Sequence, residues 1–243
     1  MSAYDYSIYY RNWHDESPEH HAQMSQWKAT QLQPLLTLPK DARILDVGCG
    51  FGFALGGLRK LGYSNVVGVE QSSQQAAVCR DAGFNVSVTS DTVAWLKEQA
   101  NQYDGILLFD VLEHLPVDVQ IDFVRAIHTA LKAGGEFILT VPNANAILAA
   151  RWRYNDYTHF SSFTEFSLAF VLKNAGFVQL WIDNSKGLGS FPRRVWRRKN
   201  WPALRKWLVR WCWLQVFKAE QPQEPIENIC FELNLTARAT KTA

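Results

Sequence analysis

Asp46-Val47-Gly48-Cys49-Gly50-Phe51-Gly52 sets a carboxylate and three alternating glycines in seven residues of this 243-residue chain. Glycine reaches positive φ without steric cost and has no Cβ to hold a ligand away. Backbone N–H groups can therefore close on a nucleoside cofactor. Further acids, Glu70, Asp91 and Asp110, each follow a short apolar run. His114 and His159 add imidazoles, which titrate near neutrality and can take a proton from a hydroxyl. These residue types describe a bound cofactor beside a site of proton removal.

The elements that must position them are legible in the pattern. Ile44, Leu45 and Val47 make a buried strand, and Phe53, Ala54, Leu55 and Leu58 begin a helix immediately after the glycines. The loop amides and the helix N-terminus thus converge on one spot. Further strands are expected at 65–70, 85–89, 103–110, 136–141, 178–182 and 229–237. Helices are expected after Ser72, over 93–99, from Pro116 to the pair Gly134-Gly135, and over 164–174. Alternating strands and helices predict a parallel sheet with helices on both faces, whose ligands bind at the carboxyl ends of the strands. Asp46, Glu70, Asp91 and Asp110 all fall at those ends.

The spacing separates two cofactor classes. A dinucleotide-binding G-x-G-x-x-G would place its third glycine at Phe53, which opposes a dinucleotide oxidoreductase. The run Asp46-x-Gly48-x-Gly50-x-Gly52 instead resembles the first motif of the class I S-adenosylmethionine-dependent methyltransferases. Phe109-Asp110-Val111-Leu112-Glu113-His114-Leu115 looks like the fourth motif of their small-molecule members. The resemblance covers about residues 42–177 and resumes at the last strand. It implies a Rossmann-like α/β fold, with a mostly parallel seven-stranded sheet whose last strand is antiparallel.

It also implies S-adenosylmethionine as cofactor, with S-adenosylhomocysteine as product. The cofactor residues it implies are Asp46, Gly48, Cys49, Gly50, Gly52, Glu70, Gln71, Asp91, Thr92, Asp110 and Val111. Glu70 would hold the ribose or serve the start of the next helix, and Asp91 would meet the adenine amine or cap the helix it precedes. Asp110 would lie beside the methionine end, and Glu113 and His114 would begin the loop bordering the acceptor. Residues 143–163 resemble an acceptor-site lid. His159 is the first candidate general base and His114 the second, each with a loop-fixing role as its alternative. No metal is expected, because the paired acid and amide of catechol-type enzymes are not evident.

One stretch is not required by such a core. Residues 184–219 contain no acid, while Arg193, Arg194, Arg197, Arg198, Lys199, Arg205, Lys206, Arg210 and Lys218 accompany Trp196, Trp201, Trp207, Trp211 and Trp213. A helix after Pro202 would put Leu204, Trp207, Leu208, Trp211 and Leu214 or Gln215 on one face, with Arg205, Lys206 and Arg210 on another. Three readings stand open: residues 191–217 touch an anionic membrane surface or a lipid-linked phosphosugar, they pack on the core, or, with least support, they stack on nucleic acid. The net charge of +2 keeps any basic field local.

A chain of this length with 47% hydrophobic residues can bury one core. One methyltransferase domain over 1–243 is expected: a helical cover at 1–40, the core at 41–183, the basic insertion at 184–225, and the last strand and tail at 226–243. Tyr9, Tyr10 and Trp13 are candidates to cover the cofactor. Cys49, Cys79, Cys212 and Cys230 lack the spacing of a zinc site or a disulfide framework, which fits a reducing cytoplasm. His14, His20 and His21 lack a completing carboxylate. The start is neither basic nor apolar enough for a signal peptide, and no run is long enough to cross a bilayer. The expected acceptor is a hydroxyl of a sugar or other small molecule, free or lipid-linked, as in bacterial surface-polysaccharide pathways. The alternatives are a small-molecule N-methyltransferase and a non-catalytic cofactor-binding subunit.

Overall fold

The structure, a computed structural model, describes residues 14–15, 17–183, 188–223 and 229–242. Its strands are β1 (Ile44–Val47), β2 (Val66–Glu70), β3 (Asn85–Val88), β4 (Tyr103–Phe109), β5 (Leu131–Pro142), β6 (Gln179–Ile182) and β7 (Asn234–Thr240). They form one sheet in the order β3-β2-β1-β4-β5-β7-β6, in which β7 runs antiparallel to both its neighbours and the other strands share one direction. The class I methyltransferase arrangement expected from the sequence is therefore present. The helices around it are α1 (Pro18–Leu32), α2 (Phe53–Lys60), α3 (Ser73–Asp81), α4 (Thr92–Glu98), α5 (Val117–Ala130), α6 (Ala149–Asn155), α7 (Glu165–Asn174) and α8 (Trp201–Glu220).

Parallel strands covered on both faces need apolar residues throughout, and all four residues of β1 are buried. Leu45, Ile106, Leu108 and Leu139 are fully buried in the layer that α4, α5 and α7 close. Each such side chain contributes on the order of 1.5–3 kcal/mol by leaving water. The register aligns the strand ends: Val47 lies opposite Val69, and Glu70 opposite Val88. Residues that follow β1, β2 and β4 consequently meet on one rim.

On the other face α1 lies against α2 at very short range. A Cβ built on Gly57 would come within 2.9 Å of the Ala29 backbone nitrogen, so this approach requires glycine. His21 also bonds through Nε2 to the Phe51 carbonyl oxygen at 3.0 Å, which ties α1 to the glycine loop.

Two boundaries differ from the sequence expectation. The last strand is Asn234–Thr240 rather than 229–237, because the inward residues are Leu235, Ala237 and Ala239, whose small side chains give a faint alternation. Ile229, Cys230 and Phe231 are buried, but as a loop held by the Asn143 side-chain amide, which donates to the Cys230 and Glu232 carbonyls. Similarly, α5 ends at Ala130 and β5 takes over at Leu131, ahead of Gly134-Gly135.

Candidate functional site

A cavity of about 1510 Å³ opens at the carboxyl ends of the strands. Asp46, Gly48, Cys49, Gly50, Glu70, Gln71, Thr92, Asp110, Val111, His114 and His159 line it; Gly52 and Asp91 do not. Gly48, Gly50 and Gly52 all adopt positive φ, at 69°, 54° and 78°. At Gly48 the lack of a side chain is also spatial, since a Cβ there would stand 2.7 Å from Val111 Cγ2. The turn is held from behind by Gly48 N donating to Val69 O at 2.8 Å and by the Cys79 thiol donating to Gly50 O at 3.1 Å.

The acids on the rim have different local duties. Asp46 is 2% exposed and its Oδ2 has no hydrogen-bond partner, and burial raises its carboxyl to about 7 despite the opposing charge of Lys28. Glu70 accepts from Gly50 N at 2.9 Å through Oε2, and from Gln71 N and Ser72 N at 2.8 Å each through Oε1. Asp91 caps α4, its Oδ1 accepting from Ala94 N at 2.9 Å. Of the two roles open for Asp91, the geometry supplies the cap. Asp110 takes φ 56°, and its Oδ1 accepts from Thr140 Oγ1 at 3.0 Å and Asn234 Nδ2 at 3.2 Å.

The two histidines meet although they come from different loops. His114 ends the 3₁₀ turn Leu112–His114 after β4, and His159 lies beyond α6. The segment between Pro142 and Phe163 folds back on itself, with Phe163 N donating to Pro142 O and Ala144 N to Phe163 O, both at 2.8 Å. Phe160 N then donates to Glu113 O at 2.7 Å, which seats the segment on the β4 turn. The imidazole rings stand edge to face at 4.6 Å. Asp156, 2% exposed, accepts at Oδ1 from Thr158 Oγ1 at 2.6 Å, and Thr158 Oγ1 lies 2.7 Å from His114 Nδ1. His159 Nε2 faces Asp156 Oδ2 at 3.8 Å.

The charges follow from burial. Desolvation, with the neighbouring His159, lowers His114 to about 4. Desolvation also lowers His159, against the pull of Asp156. Glu113 is 1% exposed and is pushed well above the usual carboxylate range by burial and by the nearby Asp110 and Asp156. Both rings are neutral at pH 7 and can accept a proton there.

Other residues complete the cavity without a clear signal in the sequence. Met24, Trp27 and Lys28 reach it from α1, with Lys28 Nζ 4.5 Å from the centre of the Phe109 ring. Trp152 donates through Nε1 to Asn234 Oδ1 at 2.9 Å, which joins α6 to the start of β7 beside Asp110. Tyr9, Tyr10 and Trp13 lie outside the described residues.

The basic helix α8 is turned away from the orientation expected. None of its 20 residues is buried. The face that docks carries Trp207, Arg210, Trp213 and Phe217: Trp213 Nε1 donates to Asn145 O at 3.1 Å, and Arg210 pairs with Glu232 at 2.6 Å. Leu208 and Trp211, expected on the apolar contact face, are exposed. The physical reason is Glu232, an acid beyond the insertion that draws Arg210 and Lys206 inward. Among the described residues no helix is long and apolar enough to cross a membrane.

Comparisons with known proteins agree with this architecture. A family model described as a methyltransferase domain matches residues 10–180. Over 110 residues the chain is 33% identical to the ubiquinone biosynthesis O-methyltransferase of Xanthomonas axonopodis pv. citri (strain 306), a match covering 43% of this chain and 45% of that protein. Over 149 residues it is 32% identical to the protein of the same name from Ruegeria pomeroyi, covering 55% of this chain and 59% of that one. The chain thus matches about half the length of these curated relatives. Among solved structures, an S-adenosylmethionine-dependent methyltransferase from Archaeoglobus fulgidus superposes with a TM-score of 0.66 at 19% identity, over 89% of this chain and 94% of that chain. A Burkholderia thailandensis 1,6-didemethyltoxoflavin-N1-methyltransferase, solved with S-adenosylhomocysteine, does so with a TM-score of 0.55 at 20% identity, over 98% of this chain and 84% of that one.

Proposed function

The chain belongs to the class I S-adenosylmethionine-dependent methyltransferases, and from that premise we propose that it methylates a hydroxyl of a small polyoxygenated acceptor, of which a sugar is the leading class. The observation that carries this reading is one cavity with two chemically distinct ends. At one end, the glycine turn and the buried, unpartnered Oδ2 of Asp46 suit the cationic, nucleoside-bearing S-adenosylmethionine. At the other, two neutral imidazoles face the same space.

When bound, S-adenosylmethionine supplies a methyl group already activated on a sulfonium. The protein's work is then positioning, exclusion of water and removal of a proton. Asp46 is placed to hold positive charge, Glu70 to face the ribose from the anchored end of β2, and Val111 to fill the space left open at Gly48. Thr92 and Gln71 border the same cleft. His159, with Nδ1 buried and unpartnered, takes the hydroxyl proton in this reading, and His114 is the second candidate. The curated relatives carry the name O-methyltransferase, which supports oxygen over nitrogen as the methylated atom.

We further infer that the acceptor is met at an anionic bilayer surface, as a lipid-linked glycan would be. Trp201, Leu208, Val209, Trp211 and Val216 are exposed on α8 among Lys199, Arg205 and Lys218, with no acid between residues 188 and 219. Such a surface suits headgroups, where indoles settle.

The test is methyl transfer from radiolabelled S-adenosylmethionine to a panel of monosaccharides, phenols, lipid-linked glycan extracts and small amines. Label on an oxygen of a glycan or other polyol supports the proposal. Label confined to amines replaces it with N-methylation.

A further inference from the structure

We infer that Glu113, His114 and His159 form a binding site for one divalent first-row cation, Zn²⁺ or Mn²⁺ in type, open on its cavity side to two adjacent oxygens of the acceptor. One donor atom from each of the three residues lies within 4.8 Å of the other two, and all three residues line the cavity. A cation with bonds of about 2.1 Å holds its donors roughly 3 to 4 Å apart, so closure on the ion needs movements on the order of an ångström or less.

Two of these donors have no other use in the fold. Glu113 is 1% exposed, and its Oε2 is buried without a hydrogen-bond partner; His159 Nδ1 is likewise buried without one. A buried polar atom left unpaired costs about 1–3 kcal/mol, and a ligand that satisfies it recovers that energy.

The surrounding bonds present each imidazole as a ligand. Thr158 Oγ1 spends its proton on Asp156 Oδ1 at 2.6 Å, so at 2.7 Å it accepts from His114 Nδ1. The lone pair of His114 is thereby set on Nε2. Asp156 Oδ2 faces His159 Nε2, which places that ring's proton there and its lone pair on Nδ1. A buried carboxylate, directly or through a hydroxyl, thus orients both rings, as outer partners do in histidine metal sites. Two imidazoles and one carboxylate favour a borderline ion over Mg²⁺ or Ca²⁺. The expectation of no metal looked for an acid paired with an amide, and this group is of another composition.

The acceptor class rests on the methyl-transfer reading, whereas the cation site does not. Three protein donors leave positions open, and a 1,2-diol fills two of them where a lone hydroxyl fills one. The cation weakens the O–H bond of the hydroxyl it holds. The proton leaves to solvent, the oxygen's electron pair forms the O–CH3 bond, and the C–S pair returns to sulfur, which becomes a thioether.

The experiment is calorimetric titration of the chelator-stripped full chain with ZnCl2 and with MnCl2, alongside S-adenosylhomocysteine. The expected result is one ion per chain, with affinity lowered at least tenfold in each of Glu113→Gln and His159→Ala and about 10–100-fold in Asp156→Asn, a positioning residue. S-adenosylhomocysteine affinity should stay within about twofold in every variant that melts cooperatively, and His159→Gln replaces His159→Ala if that variant does not. Wild-type protein that binds S-adenosylhomocysteine but neither ion overturns the site. Unchanged ion affinity in both Glu113→Gln and His159→Ala overturns it too. Ion binding without S-adenosylhomocysteine binding would leave the site standing and remove the methyl-transfer reading instead. With the ion bound, catechol or a cis-diol should bind at least tenfold tighter than phenol or a monool; equal affinities would overturn the two-oxygen acceptor.

Discussion

Gly50 N donates to Glu70 Oε2 at 2.9 Å, so the glycine turn after β1 is fastened to the acid that ends β2. The same carboxylate takes two further backbone amides from Gln71 and Ser72. Hydrogen bonds to a charged group are worth about 1.5–3 kcal/mol each, so this acid shapes the cleft before any ligand arrives. Glu70→Ala is expected to weaken S-adenosylhomocysteine binding by about 10–100-fold and to lower the melting temperature, measured by calorimetry. An affinity within twofold of wild type would separate Glu70 from the cofactor.

Asp46 makes stability depend on pH. Its carboxyl is raised in the folded state to about 7 from an ordinary value of 3.8, chiefly by burial. Its stabilising contribution is therefore complete below about pH 4 and is lost as pH rises through about 7, at up to about 1.4 kcal/mol per pH unit. Melting temperatures across this range should fall more steeply for wild type than for Asp46→Asn. Cofactor binding should release protons near pH 6 as positive charge holds Asp46 ionised, read as a dependence of the binding heat on buffer ionisation enthalpy. Parallel melting curves for the two proteins would contradict the burial argument.

Asp91 separates a stability role from a binding role. Its Oδ1 caps α4 through Ala94 N, and it does not line the cavity. Asp91→Ala is expected to cost about 0.5–2 kcal/mol in urea unfolding, the usual loss for a cap. S-adenosylhomocysteine affinity should change by less than about threefold. A tenfold loss would return Asp91 to the adenine.

The exposed face of α8 predicts salt-dependent sedimentation with phosphatidylglycerol vesicles and little with phosphatidylcholine. The double variant Trp201→Ala, Trp211→Ala should pellet at least fivefold less, since each indole contributes apolar area at the interface. Trp207 is a poor choice for this test because it packs on Phe191 at 5.0 Å. Equal pelleting with both lipids, or none with either, would assign α8 another surface.

The fold was largely legible because each core strand is a continuous apolar run ended by an acid or a turn. Asp46, Glu70 and Asp110 were found this way, since a strand end is a local event marked by a change of residue type. The last strand was misplaced because its inward residues include Ala237 and Ala239, whose weak hydrophobic signal was outweighed by Ile229 to Phe231 in the adjoining loop. The face of α8 was misread for a related reason. Its orientation depends on Glu232, an acid that follows the helix by a dozen residues and lies outside any helical periodicity.

What the amino-acid order determined by itself was the strand and helix sequence and the glycine turn, because propensity, periodicity and positive φ act over a few neighbouring residues. The meeting of Glu113, His114, Asp156 and His159 was decided only by the tertiary structure. It requires the segment from Pro142 to Phe163 to fold back and Phe160 N to reach Glu113 O at 2.7 Å. A bond between residues so far apart in the chain leaves no periodic trace in either partner, so the acceptor end of the cleft had to be seen folded.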